Sequence, residues 1–100
     1  MTSVSSDDLQ ITVRKATEKS RYEAVIDGAV VGFADITEDD ERVVFNHVEV
    51  TPAWQGQGVA SRLVQAAFDQ VLAQRKAIKP LCPFAVGYLR RHPEYAEHTG

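Results

Sequence analysis

Residues 58–76 place apolar side chains at 59, 63, 67 and 71, widened by 60, 64, 68 and 72, while Arg62, Gln65, Asp69 and Arg75 fall opposite. A stripe of that period and width is an amphipathic helix with one face committed to a core. Directly ahead of it stands Gln55-Gly56-Gln57-Gly58, at the end of the run Thr51-Pro52-Ala53-Trp54. The first acid inside the helix is Asp69. The opening turn therefore offers uncapped backbone N–H groups and the positive end of the helix dipole. Gly56 and Gly58 remove side chains that would block a ligand and permit φ values that aim successive N–H groups at one point. Such a start is suited to an anion.

The rest of the chain supplies a sheet for this helix. Ile11, Val13 and Lys15 alternate with polar neighbours, a short first strand. Arg21 to Ile26 and Ala29 to Ile36 flank Asp27-Gly28, a dipeptide that favours a two-residue hairpin because both central positions need positive φ. Thr37 to Glu41 is an acidic turn. The stretch RVVFNHVEV, residues 42–50, then alternates, with Val44, Asn46, Val48 and Val50 expected in the core, and Phe45, His47 and Glu49 toward a cleft or solvent. Ala77 to Leu81 is a last short strand. Pro83 begins a second helix that His92-Pro93 ends. The order is four strands joined by hairpins, a helix, a strand parallel to its predecessor, and a helix: α+β with a mixed sheet, a β-α-β crossover and a C-terminal helix.

One hundred residues, 44% hydrophobic and 25% charged, make one domain with a single modest core. Its expected extent is 10–97, with 1–9 a flexible tail. The formal charge is −3 and the basic residues are scattered apart from Arg90-Arg91, so nucleic acid is not an expected partner. One cysteine, Cys82, excludes an internal disulfide. The N-terminus lacks a signal-peptide pattern and no stretch is long enough to cross a bilayer, so no membrane role and a cytoplasmic location are expected. His47 lies far from His92 and His98, and no metal site is expected.

Two familiar phosphate loops do not fit. No Gly-Lys-Ser/Thr triplet follows the glycines, and a dinucleotide fingerprint would need glycine where Ser61 stands. The loop instead matches the Q/R-x-x-G-x-G/A signature of the GNAT acetyltransferase superfamily, as Gln55-Gly56-Gln57-Gly58-Val59-Ala60. The run HVEVTPAWQGQGVASRLVQAAF followed by KPLCPFAVGYLRRHPEY resembles a minimal, single-domain subgroup with a cysteine just after the last strand, over about residues 20–95. The resemblance implies a compact GNAT-like fold, acetyl-CoA as cosubstrate, and an amine acceptor of unknown identity, small molecule or peptide. It also implies that amides of Gln55, Gly56, Gln57, Gly58, Val59, Ala60 and Ser61 hold the pyrophosphate, while backbone around Val48 and Val50 pairs with the pantetheine arm. A helix terminus supplies at most about 2 kcal/mol, against about 8 for micromolar binding. The groove has to supply the rest.

Acetyl transfer needs a deprotonated amine, a polarised carbonyl and a stabilised leaving thiolate. Cys82, before Pro83 at the start of the second helix, is placed to favour thiolate, and the resemblance sets it at the mouth of the gap where the last two strands part. It would either accept the acetyl group or assist direct transfer. His47 and Glu49, two apart on one strand face, are the candidate bases. In this superfamily a tyrosine often protonates the leaving thiolate, with an asparagine seven residues ahead; Leu81 occupies that place before Tyr88, so Tyr88 is read as packing or pocket lining. Trp54 and Phe68 read as packing, while Tyr95, His92 and His98 read as a polar tail. Only Ala16 to Ser20 separates the first two strands, which leaves no room for the two helices that shape the acceptor site in larger relatives. The alternative reading is a non-catalytic acyl-CoA binder or sensor.

Overall fold

A computed structural model of the protein describes residues 11–99, so the tail expected over 1–9 lies outside the described residues. Five strands form one sheet in the order β1-β2-β3-β4-β5: β1 Thr12–Ala16, β2 Arg21–Ile26, β3 Ala29–Glu38, β4 Arg42–Val50 and β5 Ala77–Pro80. The first four pair antiparallel, and β5 runs parallel to β4. Helix α1, Val59–Ala73, makes the β4-to-β5 crossover, and α2, Pro83–Arg91, follows β5. This is the mixed α+β architecture read from the sequence.

Local chemistry explains most boundaries. Asp27 at φ 51° and Gly28 at φ 80° form the turn between β2 and β3, a positive-φ pair whose twist suits the flanking strands. Thr37 and Glu38 continue β3 opposite Val44 and Val43, which shortens the expected acidic turn. In the turn that remains, Asp39 Oδ1 accepts from the N–H groups of Glu41 at 2.7 Å and Arg42 at 2.9 Å. α1 ends at Ala73, before the expected Lys76, because Arg75 takes φ 61° and turns the chain toward β5. Between β1 and β2 there is only the 3-10 turn Thr17–Lys19.

The core lies between the sheet and the two helices. Fully buried α1 residues Leu63, Val64, Ala67, Phe68 and Val71 meet Tyr22, Ala24, Ala34, Val43, Phe45 and Ile78 from the sheet. Aromatic rings run through it: Tyr22 stacks on Phe45 at 6.2 Å, and Phe68 makes edge contacts with Phe45, Tyr88 and Tyr95 at 5.0, 5.7 and 5.4 Å. Edge-to-face pairs are worth somewhat more than their area alone. Tyr95 thus belongs to the core and not to a polar tail. It is 7% exposed, and its hydroxyl donates to Asp69 Oδ1 at 2.7 Å, joining residues 93–98 to the polar side of α1.

The expected face assignment in β4 is corrected. Phe45 and Val43 are buried, whereas Val44 is only half-buried and Asn46 is exposed. Pairing with β3 runs Phe45↔Ile36 and then His47↔Asp35, leaving Asn46 as the extra residue of a β-bulge. One inserted residue reverses the alternation. Phe45 therefore points inward before the bulge, and Val48 and Val50 pack on the same core after it. His47 and Glu49 take the other face and are exposed, as expected. The Asn46 side chain is satisfied at the surface, donating from Nδ2 to Thr37 Oγ1 at 2.9 Å.

Candidate functional site

The glycine loop and the parting of β4 from β5 meet at one end of the sheet. After β4, a 3-10 turn Pro52–Trp54 leads into Gly56 at φ 80° and Gly58 at φ 82°. Gly58 is the N-cap of α1, makes no side-chain cap, and is followed by a first turn without acid. A Cβ built on Gly56 would meet nothing within 4 Å, so the loop backbone faces open space. Alternating left-handed glycines before a helix start set consecutive N–H groups toward a common point, a concavity that accepts anions.

That open space is a cleft of about 350 Å³. Of the residues expected to hold the cofactor, Val50, Gln55, Gly56, Gly58, Val59, Ala60 and Ser61 line it, and Val48 and Gln57 do not. Gln57 instead braces the loop, with Nε2 donating to Ala53 O at 3.5 Å. Gln55 Nε2 donates to Val50 O at 3.1 Å and ties the loop to the end of β4. Trp54 and Phe84 complete the lining. Phe84 was not singled out from the sequence; its position two residues past Cys82, in the first turn of α2, is the signal that could have found it.

Pairing of β4 with β5 stops at Phe45↔Pro80. Immediately beyond, the N–H groups of Leu81 and Cys82 both donate to Phe45 O, at 3.0 and 3.2 Å, and the two chains then part. From the Asn46 bulge to Val50, β4 keeps β3 on one edge and, among the described residues, has no strand on the other. Cys82 stands at the start of the gap as the N-cap of α2. Its Sγ accepts from Ala85 N–H at 3.3 Å. The residue is 6% exposed and α2 has no acid in its first turn. A cysteine in an N-cap place puts its sulfur against the positive end of the helix. Leu81 beside it is exposed.

His47 and Glu49 come together but not in the cleft. His47 Nε2 lies 3.1 Å from Glu49 Oε1, on the sheet face opposite the helices, with both side chains more than half exposed. Glu49 lines a separate groove of about 290 Å³. Tyr88 is core, 3% exposed, between Phe68 and the ring of His92. Burial, with the charge of Asp69 adding to it, pushes its phenol pKa up. Among the described residues, no three His, Cys, Asp or Glu side chains converge as a metal site, and no helix is long and apolar enough to cross a membrane.

A family model for GCN5-related N-acetyl-transferases matches residues 21–98. No curated protein matches the chain. Solved structures do. A GCN5-like protein from Staphylococcus aureus aligns with a TM-score of 0.65 at 15% identity, over 89% of this chain and 87% of its own. A GNAT family acetyltransferase from Elizabethkingia anophelis, with acetyl-CoA bound, aligns at 0.61 and 15%, over 89% and 75%. A GNAT family protein from Streptococcus pneumoniae aligns at 0.54 and 24%, over 80% and 66%. At these identities the structural likeness speaks for the fold, and the family model speaks for the family.

Proposed function

The chain belongs to the GCN5-related N-acetyl-transferase family, and from that premise we propose that it transfers the acetyl group of acetyl-CoA to an amine, with Cys82 in the active site. The observation that supports this reading is that the glycine-loop start of α1 opens on a cleft lined also by Val50 of β4 and Phe84 of α2, the helix that Cys82 caps just past the last β4–β5 pair, Cys82 itself not lining that cleft. Acetyl-CoA is the bound species in the Elizabethkingia anophelis relative.

The residues present suit such a ligand. The open loop at Gly56 admits a pyrophosphate to the N–H groups of Gly56 to Ser61, where the helix dipole favours negative charge, while the Gln55 N–H is taken by Pro52 O at 3.3 Å. Val50, Trp54 and Phe84 give the cleft apolar wall against which a pantetheine arm would lose water. Backbone groups of Val48 and Val50, on the strand edge that β5 has left, would bond that arm as a neighbouring strand would. The sulfur of Cys82, held by Ala85 N–H, would act at the thioester, and His47 with Glu49 would take the proton of the incoming amine.

Intact-mass measurement after mixing the protein with acetyl-CoA alone separates two roles for the sulfur. A gain of one acetyl group that disappears in Cys82→Ser means transfer through the cysteine; no gain, with amines still acetylated, means direct transfer. Absence of any thermal stabilisation by CoA, in material that melts cooperatively, would refute the site itself, because a ligand that binds only the folded state raises its stability.

A further inference from the structure

The sheet face away from the helices carries a row of side chains that acetyl-CoA would not use. Glu23 on β2 is 1% exposed although none of the described helices covers that face. Three cations close over it. Arg14 Nη2 lies 3.0 Å from Oε1, Arg21 reaches Oε2 with Nη2 at 2.7 Å and Nε at 2.8 Å, and Lys19 Nζ lies 3.9 Å from Oε2. One carboxylate among three cations leaves the cluster net positive. The Arg21 guanidinium is thereby held 4.7 Å over the ring of Phe33, and that ring is 6.2 Å from His47, whose partner is Glu49.

Arg21, Phe33 and Glu49 line one groove, with Gly32 as part of its floor. Its two ends differ in charge. At one end stands a guanidinium whose Nε and Nη2 are engaged by Glu23, which leaves Nη1 for a ligand. At the other stands the exposed carboxylate of Glu49, while Asp35 lies outside the groove lining, opposite Arg21 on β2 and His47 on β4. Arg21 is on β2 and Glu49 on β4, two strand spacings or about 9–10 Å apart across the sheet and two residues out of register along it, an offset that the Arg21 side chain shortens by reaching over Phe33. An aromatic ring lies between them.

We propose that this groove binds an amino-carboxylate whose ammonium and carboxylate are separated by about 7–10 Å, the span of a dipeptide or tripeptide, and that this ligand is the acetyl acceptor. The inference rests on the acetyltransferase reading of the neighbouring cleft. A free α-amino acid is too short to meet both charges. A simple alkylamine has no carboxylate for Nη1 of Arg21, whose Nε and Nη2 Glu23 already engages. A short peptide sets its carboxylate on Arg21, lies across Phe33, and brings its ammonium to Glu49 and His47 at the edge of β4. There the ammonium gives one proton to the His47–Glu49 pair. The freed amine attacks the thioester carbonyl carbon, the C–S bond breaks, and CoA leaves as a thiol after taking a proton, with an amide as product. Arg21 is the specificity residue in this arrangement, and Glu23 positions it.

The test compares glycylglycine, glycylglycinamide and butylamine, by acetylation kinetics and by saturation-transfer NMR on protein with and without CoA. Glycylglycine should exceed its amide by about tenfold or more in kcat/KM, and that ratio should fall toward one in Arg21→Gln and recover in part in Arg21→Lys. Melting curves of both variants report whether the fold is kept. Equal rates for acid and amide overturn the proposal while leaving the acetyltransferase reading intact. Should CoA itself fail to bind, the NMR arm still decides: no saturation transfer to millimolar glycylglycine overturns the proposal, and transfer lost in Arg21→Gln supports the groove.

Discussion

The two halves of β4 are built differently. Val43 to Phe45 is paired on both edges, with β3 and with β5, and Val43 and Phe45 are completely buried. Beyond the bulge at Asn46, β3 is the strand's one partner among the described residues, and its residues are half-buried or exposed. The first half anchors the sheet to α1 through the edge contact of Phe45 with Phe68, and Phe45 also stacks on Tyr22 of β2. The second gives up a neighbour among the described strands, and on its open edge Val50 O accepts from the Gln55 side chain. One inserted residue separates the doubly paired part of the strand from its open-edged part within nine residues of chain.

The contrast can be broken most severely at Phe45. Truncation to alanine removes a fully buried ring from the centre of the aromatic row, and Phe45→Ala should cost about 3–5 kcal/mol in urea denaturation. If Phe45→Ala were to lose less than about 1 kcal/mol, the first half would not be the anchor described here. A smaller effect, of a different kind, is expected past the second half. Gly56→Ala meets no atom within 4 Å but must hold φ 80°, so it should cost about 1–2 kcal/mol of stability. By calorimetry it should weaken CoA about tenfold, because the new methyl stands where the loop backbone faces the cleft. Undiminished CoA affinity in that variant would remove the loop from the binding site.

The smallest expected effect sharpens the comparison through pH. Glu38 lies opposite Val43 and joins the first half of β4 to Lys15 of β1 and to Lys76 just before β5. Hydrogen bonds from Lys15 first, and then Lys76, hold its pKa below the ordinary carboxylate value, against burial. A carboxylate whose folded pKa lies below its unfolded value, about 4.3, stabilises fully above that value and loses its contribution as pH falls through the folded one. Thermal stability should therefore drop between neutral pH and pH of about 3, and the drop should be shallower in Glu38→Gln. An unchanged acid profile in Glu38→Gln would show that this ion-paired corner contributes nothing to the zipped half.

Legibility in the sequence followed locality. The hairpin at Asp27-Gly28, the helix behind Gly58 and the start of α2 at Pro83 could be read because each depends on one or two φ values or on a period within one element. The cleft was readable for the same reason, since most of its lining is the contiguous run from Gln55 to Ser61. Phe84 enters that cleft only because α2 packs against β4.

What the amino-acid order settled alone was therefore the set of elements, their sequence along the chain and the bare amide start of α1. The faces of β4 were decided elsewhere. In RVVFNHVEV, valines occupy both alternations at the start, so either face could be apolar, and only pairing with β3 selects the bulge at Asn46 that turns Phe45 inward. The burial of Glu23 under Arg14, Lys19 and Arg21, and of Tyr95 against Phe68 and Asp69, likewise joins residues whose partners are chosen in three dimensions. Backbone conformation is a property of neighbours along the chain, whereas strand register and charge partnership are minima of the whole packed sheet.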